Sequence, residues 1–304
     1  MPQNPKDISG LPVLAVFAHP DDEGFGCGGA LAMLVARGAR VTLVCATNGD
    51  VGEISDPALA TPETLAQVRQ EELRQAMAIT GVSDVRFLGY RDSGMAGTEP
   101  NNQPAALIQA DPADVVGRLV RVIREVRPEV VITHDPSGVY GHPDHLAVHR
   151  HVTQAFSLAG GPAAYPEQLA HGPVPVGAAL SGRPAEGLDP WTPRLLYYAC
   201  APRSYFRRMW QQMLDAGITP PFASREMDSL GCPDEAVTTV LNVSQFVDTK
   251  IASLKCHRTQ MDPNGAFARL SPTQLRDFMS TEYYILAVPQ GASPEADLLA
   301  SLAG

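Results

Sequence analysis

The chain is predicted to fold as an α/β protein, a Rossmann-like and mostly parallel sheet with helices on both faces, plus a C-terminal extension. Three observations predict it. Short apolar runs alternate with helical stretches throughout the first half, with little chain between them. The runs are continuously apolar, as in strands covered on both faces, rather than alternating. Glycine, proline and capping residues punctuate the alternation, which implies parallel pairing through right-handed crossovers.

The elements follow in order. Val13–Ala18 reads as the first strand. Gly28-Gly29-Ala30 opens a helix to about Arg37, and Gly38 stops it. Val41–Ala46 is the second strand. Thr61-Pro62-Glu63 is a helix start, with threonine as cap and proline in the first turn; this helix runs to Thr80 and ends at Gly81. Val85–Leu88 is the third strand. Asp111-Pro112 begins a helix that reaches about Arg127 and is ended by Pro128. Arg118, Arg121, Arg124 and Arg127 read as its solvated face. Val130–Thr133 is the fourth strand, and Asp144 or a neighbour starts a helix through about Phe156.

Residues 159–193 are rich in Gly, Pro and Ala without periodicity, which reads as a functional loop, a lid or an interface segment. Beyond them, Arg194–Cys200, Val237–Val243 and Tyr283–Val288 look like strands, and Tyr205–Leu214 and Val247–Gln260 like helices. This half extends the same sheet or adds a small subdomain, and the tail after Pro289 is expected to fray. The whole reads as a single domain over 1–304, with its core at 12–158, the loop at 159–193 and the extension at 194–290.

Composition narrows the function. The chain has 304 residues, 44% hydrophobic and 18% charged, with a net charge of −10. No block of Lys or Arg breaks the acidic background, which argues against nucleic-acid binding. No apolar run approaches the roughly 18 residues needed to span a bilayer. The segment Met1-Pro2-Gln3-Asn4-Pro5-Lys6-Asp7 lacks the basic start and apolar core of a secretion signal. The five cysteines, Cys27, Cys45, Cys200, Cys232 and Cys256, are widely spaced without a C-x-x-C and read as reduced thiols. A cytoplasmic protein is expected. Gly24-Phe25-Gly26-Cys27-Gly28-Gly29 resembles a dinucleotide loop only superficially, because the acidic cluster before it would repel a pyrophosphate.

The chemistry is concentrated in two clusters. The first strand ends abruptly in Ala18-His19-Pro20-Asp21-Asp22-Glu23, and Tyr140-Gly141-His142-Pro143-Asp144-His145 follows the fourth. Both therefore lie at the C-terminal edge of the sheet, where α/β proteins place their ligands. His19 and Asp22 can converge on one ion, and His145 is the best third ligand, which leaves a position open for water. His149, four residues after His145 on one helical face, is a rival ligand. The mixed nitrogen and oxygen set suits Zn²⁺, with Fe²⁺ or Co²⁺ tolerated. Without a metal, His-x-x-Asp is simply an acidic turn before a helix. Asp21 is placed to act as general base on a metal-activated water, or else to orient His19. Glu23 reads as a supporting charge. His142 is free to assist an oxyanion or a leaving amine, with Asp144 holding it as an imidazolium and Tyr140 beside it; Asp144 otherwise only caps the helix. His134 reads as a strand-end and His151 as a surface histidine.

His19-Pro20-Asp21-Asp22-Glu23 together with His142-Pro143-Asp144-His145 resembles the zinc-dependent N-deacetylase family, over residues 12–156. That family includes N-acetylglucosaminyl-phosphatidylinositol deacetylases and the deacetylases of mycothiol and bacillithiol synthesis. Pro12–Asp50, Arg91–Thr98 and Asp135–His145 resemble the mycothiol-pathway enzymes most. The resemblance implies a Rossmann-like sheet and His19, Asp22 and His145 as zinc ligands. It implies Asp21 as base, with His142 and Tyr140 at the oxyanion and leaving group. Arg69 and Asp92 resemble its sugar-binding positions. The implied activity removes an acetyl group from an N-acetylglucosamine-type conjugate. The alternatives are an amidase acting on thiol conjugates and a non-catalytic, metal-containing metabolite-binding protein. The implied partner is a small N-acetylated sugar, with self-association left open.

Overall fold

The computed structural model describes residues 8–169, 187–222, 225–226, 229–289 and 297–298. β1 (Pro12–Phe17) pairs in parallel with β2 (Arg40–Thr47) on one side and β4 (Val130–His134) on the other. β3 (Asp84–Tyr90) extends the sheet beyond β2, and β5 (Leu195–Cys200) beyond β4, both in parallel. β7 (Thr281–Val288) then joins β5 antiparallel, and β6 (Thr239–Asn242) closes the edge against β7. Among the described residues this gives a seven-stranded sheet of order β3-β2-β1-β4-β5-β7-β6. The C-terminal half thus continues the first sheet. β4 and β5 are buried along their whole length, as their continuous apolar sequences require.

Helices cover both faces. α2 (Gly28–Ala36) and α3 (Leu65–Thr80) pack on one, around Leu31, Leu34, Leu73 and Met77. α4 (Pro112–Val126) and α6 (Pro143–Leu158) pack on the other, around Val116, Leu119, Val148 and Val152. The direction of strand addition reverses between β1 and β4. The loops leaving those two strands therefore part to opposite faces and open a crevice at their carboxyl ends.

Several local expectations are corrected. Thr61 does not cap α3, because residues 61–64 form a separate turn in which Leu65 N–H reaches Thr61 O at 2.9 Å. α8 spans Val247–Leu254, short of Gln260, because His257 and Thr259 turn inward to buried carboxylates. A short α1 (Asp22–Gly26) precedes α2, and α5 (Gly138–Gly141) precedes α6. α7 (Arg203–Asp215) follows β5. α9 (Pro272–Met279) carries a capping box between Ser271 and Gln274, a Ser-x-x-Gln signal visible in the sequence. Arg124 is not on a solvated face. It is buried and donates to the carbonyls of Ala159, Gly161, Ala164 and Tyr165 and to Gln168, fastening the chain after α6. His151 is buried in α6 rather than at the surface. Of the loop at 159–193, residues 170–186 lie outside the described residues. The tail after Pro289 is described only at 297–298. There Leu298 is buried in the core and Asp297 pairs with Arg37 at 3.4 Å, so this part is docked rather than frayed.

Candidate metal centre

The end of β1 is pinned before it turns. Ala18 N–H donates to Nε2 of His134, the last residue of β4, at 3.1 Å. The Asp22 carboxylate then folds back onto the His19 N–H at 2.7 Å and closes a tight turn. Within it Asp21 adopts φ 131°, a conformation that costs a non-glycine residue about 1–3 kcal/mol and clusters at functional sites. Two contacts hold it there. Its N–H donates to Glu23 at 3.0 Å, and its carboxylate faces Arg69 at 3.2 Å.

The loop after β4 is shaped by a buried carboxylate that sequence reasoning passed over. Asp135 accepts N–H groups from Ser137 and Val139, and Val139 is held at φ 62°. This curls Gly138 back over α6, where its carbonyl meets His145 Nδ1 at 3.1 Å. The loop after β3 arrives from the third side. Asp50 takes the Asp92 N–H at 3.0 Å, and Asp92 takes the Gly94 N–H at 2.8 Å.

These loops bring His19, Asp22, Asp92, His134, His142, Asp144 and His145 together. Several overlapping subsets of them could hold an ion. Counting the lone pairs already in use separates them. His134 Nε2 accepts from Ala18, and its ring stacks on His145 with centroids 4.0 Å apart. His142 Nδ1 accepts the Asp144 N–H at 3.2 Å as the cap of α6. Asp144 accepts from the Ser93 N–H and hydroxyl and faces His19 Nε2 at 3.2 Å.

Asp92 Oδ1 accepts the Gly94 N–H and faces His19 Nε2 at 3.5 Å, on the side of that ring turned to Asp144. Apart from these, His19 Nδ1, His145 Nε2 and Asp22 Oδ1 stand together. The two ring nitrogens are 3.2 Å apart, and Asp22 Oδ1 is 3.2 Å from His145 Nε2. The other Asp22 oxygen is 3.4 Å from His19 Nδ1. Ligands at ~2.0–2.2 Å from a tetrahedral ion stand about 3.4 Å from one another. With Nδ1–H of His145 turned to Gly138 and Nε2–H of His19 turned to Asp144, two bare lone pairs face each other. A proton shared between them or a cation held by both relieves that repulsion.

The electrostatics agree. Burial opposes a charge on His19, yet Asp92, Asp144 and Asp22 outweigh it and draw its pKa well above the usual histidine value. Burial likewise opposes ionisation of Asp22, and His145 and His134 overcome it, holding its pKa well below the ordinary carboxylate value. Histidines and carboxylates of the cluster therefore stabilise one another's charged forms. Asp21, beside it, is pushed up to about 6, chiefly by burial and against the pull of Arg69.

The remaining predicted residues fall as follows. His142 is not held as an imidazolium by Asp144, whose carboxylate is turned to His19 and Ser93 instead. Burial and the neighbouring His19 and His145 lower the His142 pKa to about 3. The ring is neutral, and with Nδ1 accepting, its proton sits on Nε2. Tyr140 lies beside His145 with ring centroids 5.0 Å apart, and burial raises its pKa, so its hydroxyl stays protonated. His149 is not part of the cluster, since its Nδ1 meets the His134 carbonyl at 3.0 Å. Asp92 reaches the cluster, 3.5 Å from His19 Nε2. Arg69 is placed differently from the expectation. It is buried beneath the turn, donating to Gly49 O and Pro20 O at 2.8 and 2.7 Å, and acts on Asp21 rather than reaching into open space. Gly49 and Gly52 make room for it, as a Cβ at either would come within 2.5 Å of its Nη1.

Sequence reasoning also missed His257, whose Nε2–H donates to Glu23 at 2.9 Å across 234 positions. Glu23 thus bridges His257 and the backbone of Asp21.

Fold and site together define an α/β protein with a buried histidine–carboxylate centre of the metal-hydrolase type. Residues 14–156 match the family model described as PIG-L: GlcNAc-PI de-N-acetylase. A protein of Streptomyces scabiei named 1D-myo-inositol 2-acetamido-2-deoxy-alpha-D-glucopyranoside deacetylase is 38% identical over all of this chain and 93% of its own length. A protein of the same name from Acidothermus cellulolyticus is 40% identical over 95% of this chain and 94% of its own. The chain belongs to this de-N-acetylase family. Among solved structures, the N,N'-diacetylchitobiose deacetylase of Pyrococcus horikoshii shares the fold at TM-score 0.60 and 19% identity, covering 90% of this chain and 82% of its own. The 4-carboxy-2-hydroxymuconate hydratase of Pseudomonas putida shares it at 0.54 and 20%, covering 93% and 98%. One fold thus carries different chemistries, and the site must decide. No helix among the described residues is long and apolar enough to cross a membrane.

Proposed function

We propose that this chain is a zinc-type metal-dependent deacetylase that removes the acetyl group from a 2-acetamido-2-deoxyglucopyranoside, with an inositol-type aglycone as in its named relatives. The observation that carries this is the triangle of unused donor atoms on His19, Asp22 and His145, at ligand-to-ligand spacing and beside Asp21. His19, Asp22 and His145 would hold the ion, with Asp144 fixing His19 from behind through its Nε2–H.

When bound, the ion supplies Lewis acidity to the amide carbonyl and acidity to a water. The protein's own groups do the rest. Asp21 takes the proton of the attacking water, as its raised pKa suits a base working near neutrality. Neutral His142 donates from Nε2 to the amide oxygen as it becomes an oxyanion, and the Tyr140 hydroxyl lies on the same side. Asp21 then returns the proton to the leaving amine. Asp92, buried and anchored by Asp50, would meet a sugar hydroxyl only through the oxygen that Gly94 leaves free.

The test is acetate release from N-acetylglucosaminyl-inositol with and without chelator, alongside Asp21→Ala. The variant should keep its metal and lose about 10²–10⁴ in turnover, the worth of a general base. Wild-type turnover in Asp21→Ala, or in chelated protein, would remove the reading.

A further inference from the structure

Hydrolysis of an amide at this centre divides its substrate in two. The C–N bond breaks and a C–O bond forms from water. The carboxylate leaves with the acyl half, and the nitrogen, having gained a proton, leaves with the sugar half. Each half needs a place, and the two flanks of the centre differ sharply.

On one flank stand Asp92, His142 and the Asp50-anchored loop, polar groups suited to hydroxyls. On the other flank a cavity of about 270 Å³ opens directly from Asp21, Asp22, Tyr140 and His145. It runs over the carboxyl ends of β1, β4 and β5 toward α7 and α9. Its deep walls are Phe206, Met209 and Met279, and Phe25, Phe222 and the half-buried Phe267 stand toward its rim. Phe25 is 40% exposed and Phe222 39%, among the few large apolar side chains of the described residues left to solvent. Phe222 also stacks on Tyr140 at 4.9 Å, joining the rim to the centre.

A sugar is ill suited to this cavity. Its polar groups, Asp21, Asp22, His134, His145, Tyr140 and Tyr205, are outnumbered by apolar walls against which a hydroxyl loses water and finds no partner, and an unpaired buried hydroxyl is costly. An acetyl methyl suits it but hardly fills it. At roughly 30 Å³ for a water-sized group, the cavity holds about nine such groups, and the acetyl methyl uses one. The rest would be water held against aromatic and thioether walls.

Resting on the deacetylase reading above, we propose that the cavity is an acyl-chain site, and that the enzyme also hydrolyses N-acyl amino sugars whose acyl group is an unbranched apolar chain of four to eight carbons. The step is the same hydrolysis, with water as the only co-reactant, and yields a fatty carboxylate and the free amine. Transfer of each methylene from water to an apolar wall is worth about fourfold in kcat/KM.

The experiment compares N-acetyl-, N-butyryl-, N-hexanoyl- and N-octanoyl-glucosamine, and octyl N-acetylglucosaminide, on the metal-loaded full chain, reading release of the free amine. kcat/KM should climb by about fourfold per methylene until the cavity is full. Met209→Trp, which narrows the cavity away from the centre, should flatten the climb and leave N-acetyl turnover within twofold. Should that variant fold poorly, Phe25→Ala, at an exposed position, should lower the hexanoyl-to-acetyl ratio by fivefold or more. A steady fall in kcat/KM from acetyl onward overturns the proposal and leaves the deacetylase reading standing. So does a gain confined to octyl N-acetylglucosaminide and abolished by Met209→Trp, since that would seat the aglycone in the cavity. No turnover of any member, acetyl included, removes both.

Discussion

Replacing His257 with phenylalanine tests how the C-terminal half governs the turn that carries Asp21. Glu23 and His257 are both buried, 1% and 0% exposed, and meet at 2.9 Å. The other Glu23 oxygen accepts the N–H of Asp21, which stands at φ 131°. Without the imidazole, a buried carboxylate keeps one backbone donor. Breaking a buried pair in this way costs about 3–5 kcal/mol. His257 Nδ1 has no hydrogen-bond partner among the described residues, which favours the lower end of that range.

Glu23→Gln keeps an acceptor for Asp21 and a donor for the imidazole, so it should cost about 1–2 kcal/mol. In the double variant no buried charge is stranded. The two costs should therefore fail to add by about 2 kcal/mol or more. Urea denaturation of the metal-free protein measures all three. The pH dependence has a definite sign. Burial opposes the charge on His257, and the Glu23 carboxylate outweighs it, so the folded pKa is raised above the unfolded value near 6.5. The contribution is complete below about pH 6.5 and is lost as the pH rises through the folded value. A cost under about 1 kcal/mol at pH 6, or a cost that grows toward alkaline pH, would refute the reasoning.

Two further outcomes are expected. Asp144→Asn should weaken metal affinity about 10–100-fold in a competition titration with a chelating dye, because it alters the group behind His19 without touching the ion; unchanged affinity would show that Asp144 does not orient the ligand. Arg124→Ala should cost about 2–4 kcal/mol in urea unfolding, since it strands the carbonyls of residues 159–165, whereas Arg118→Ala, at an exposed ion pair, should cost under about 1. Equal effects would mean that Arg124 is not the fastening its contacts describe.

The sequence by itself determined the alternation that makes a parallel sheet, and the placing of both chemical clusters at strand carboxyl ends. Those are local properties. A run such as Val13-Leu14-Ala15-Val16 and the His-Pro-Asp-Asp-Glu that follows it are read within one turn of chain. Even there, the inference that Asp144 serves His142 failed, because adjacency in sequence does not say where a carboxylate turns.

Only the tertiary structure decided which lone pairs are free. His134 spends its Nε2 on the end of β1, His142 its Nδ1 on the start of α6, and Asp144 its oxygens on Ser93 and His19. It also decided that Arg124 is buried while its helical neighbours are not, and that His257 reaches Glu23 from the far half of the chain. The physical reason is shared. Periodicity and capping arise between residues a few positions apart, whereas each buried polar group must find its partner across the fold. The chemistry of this centre is set by which partners were found.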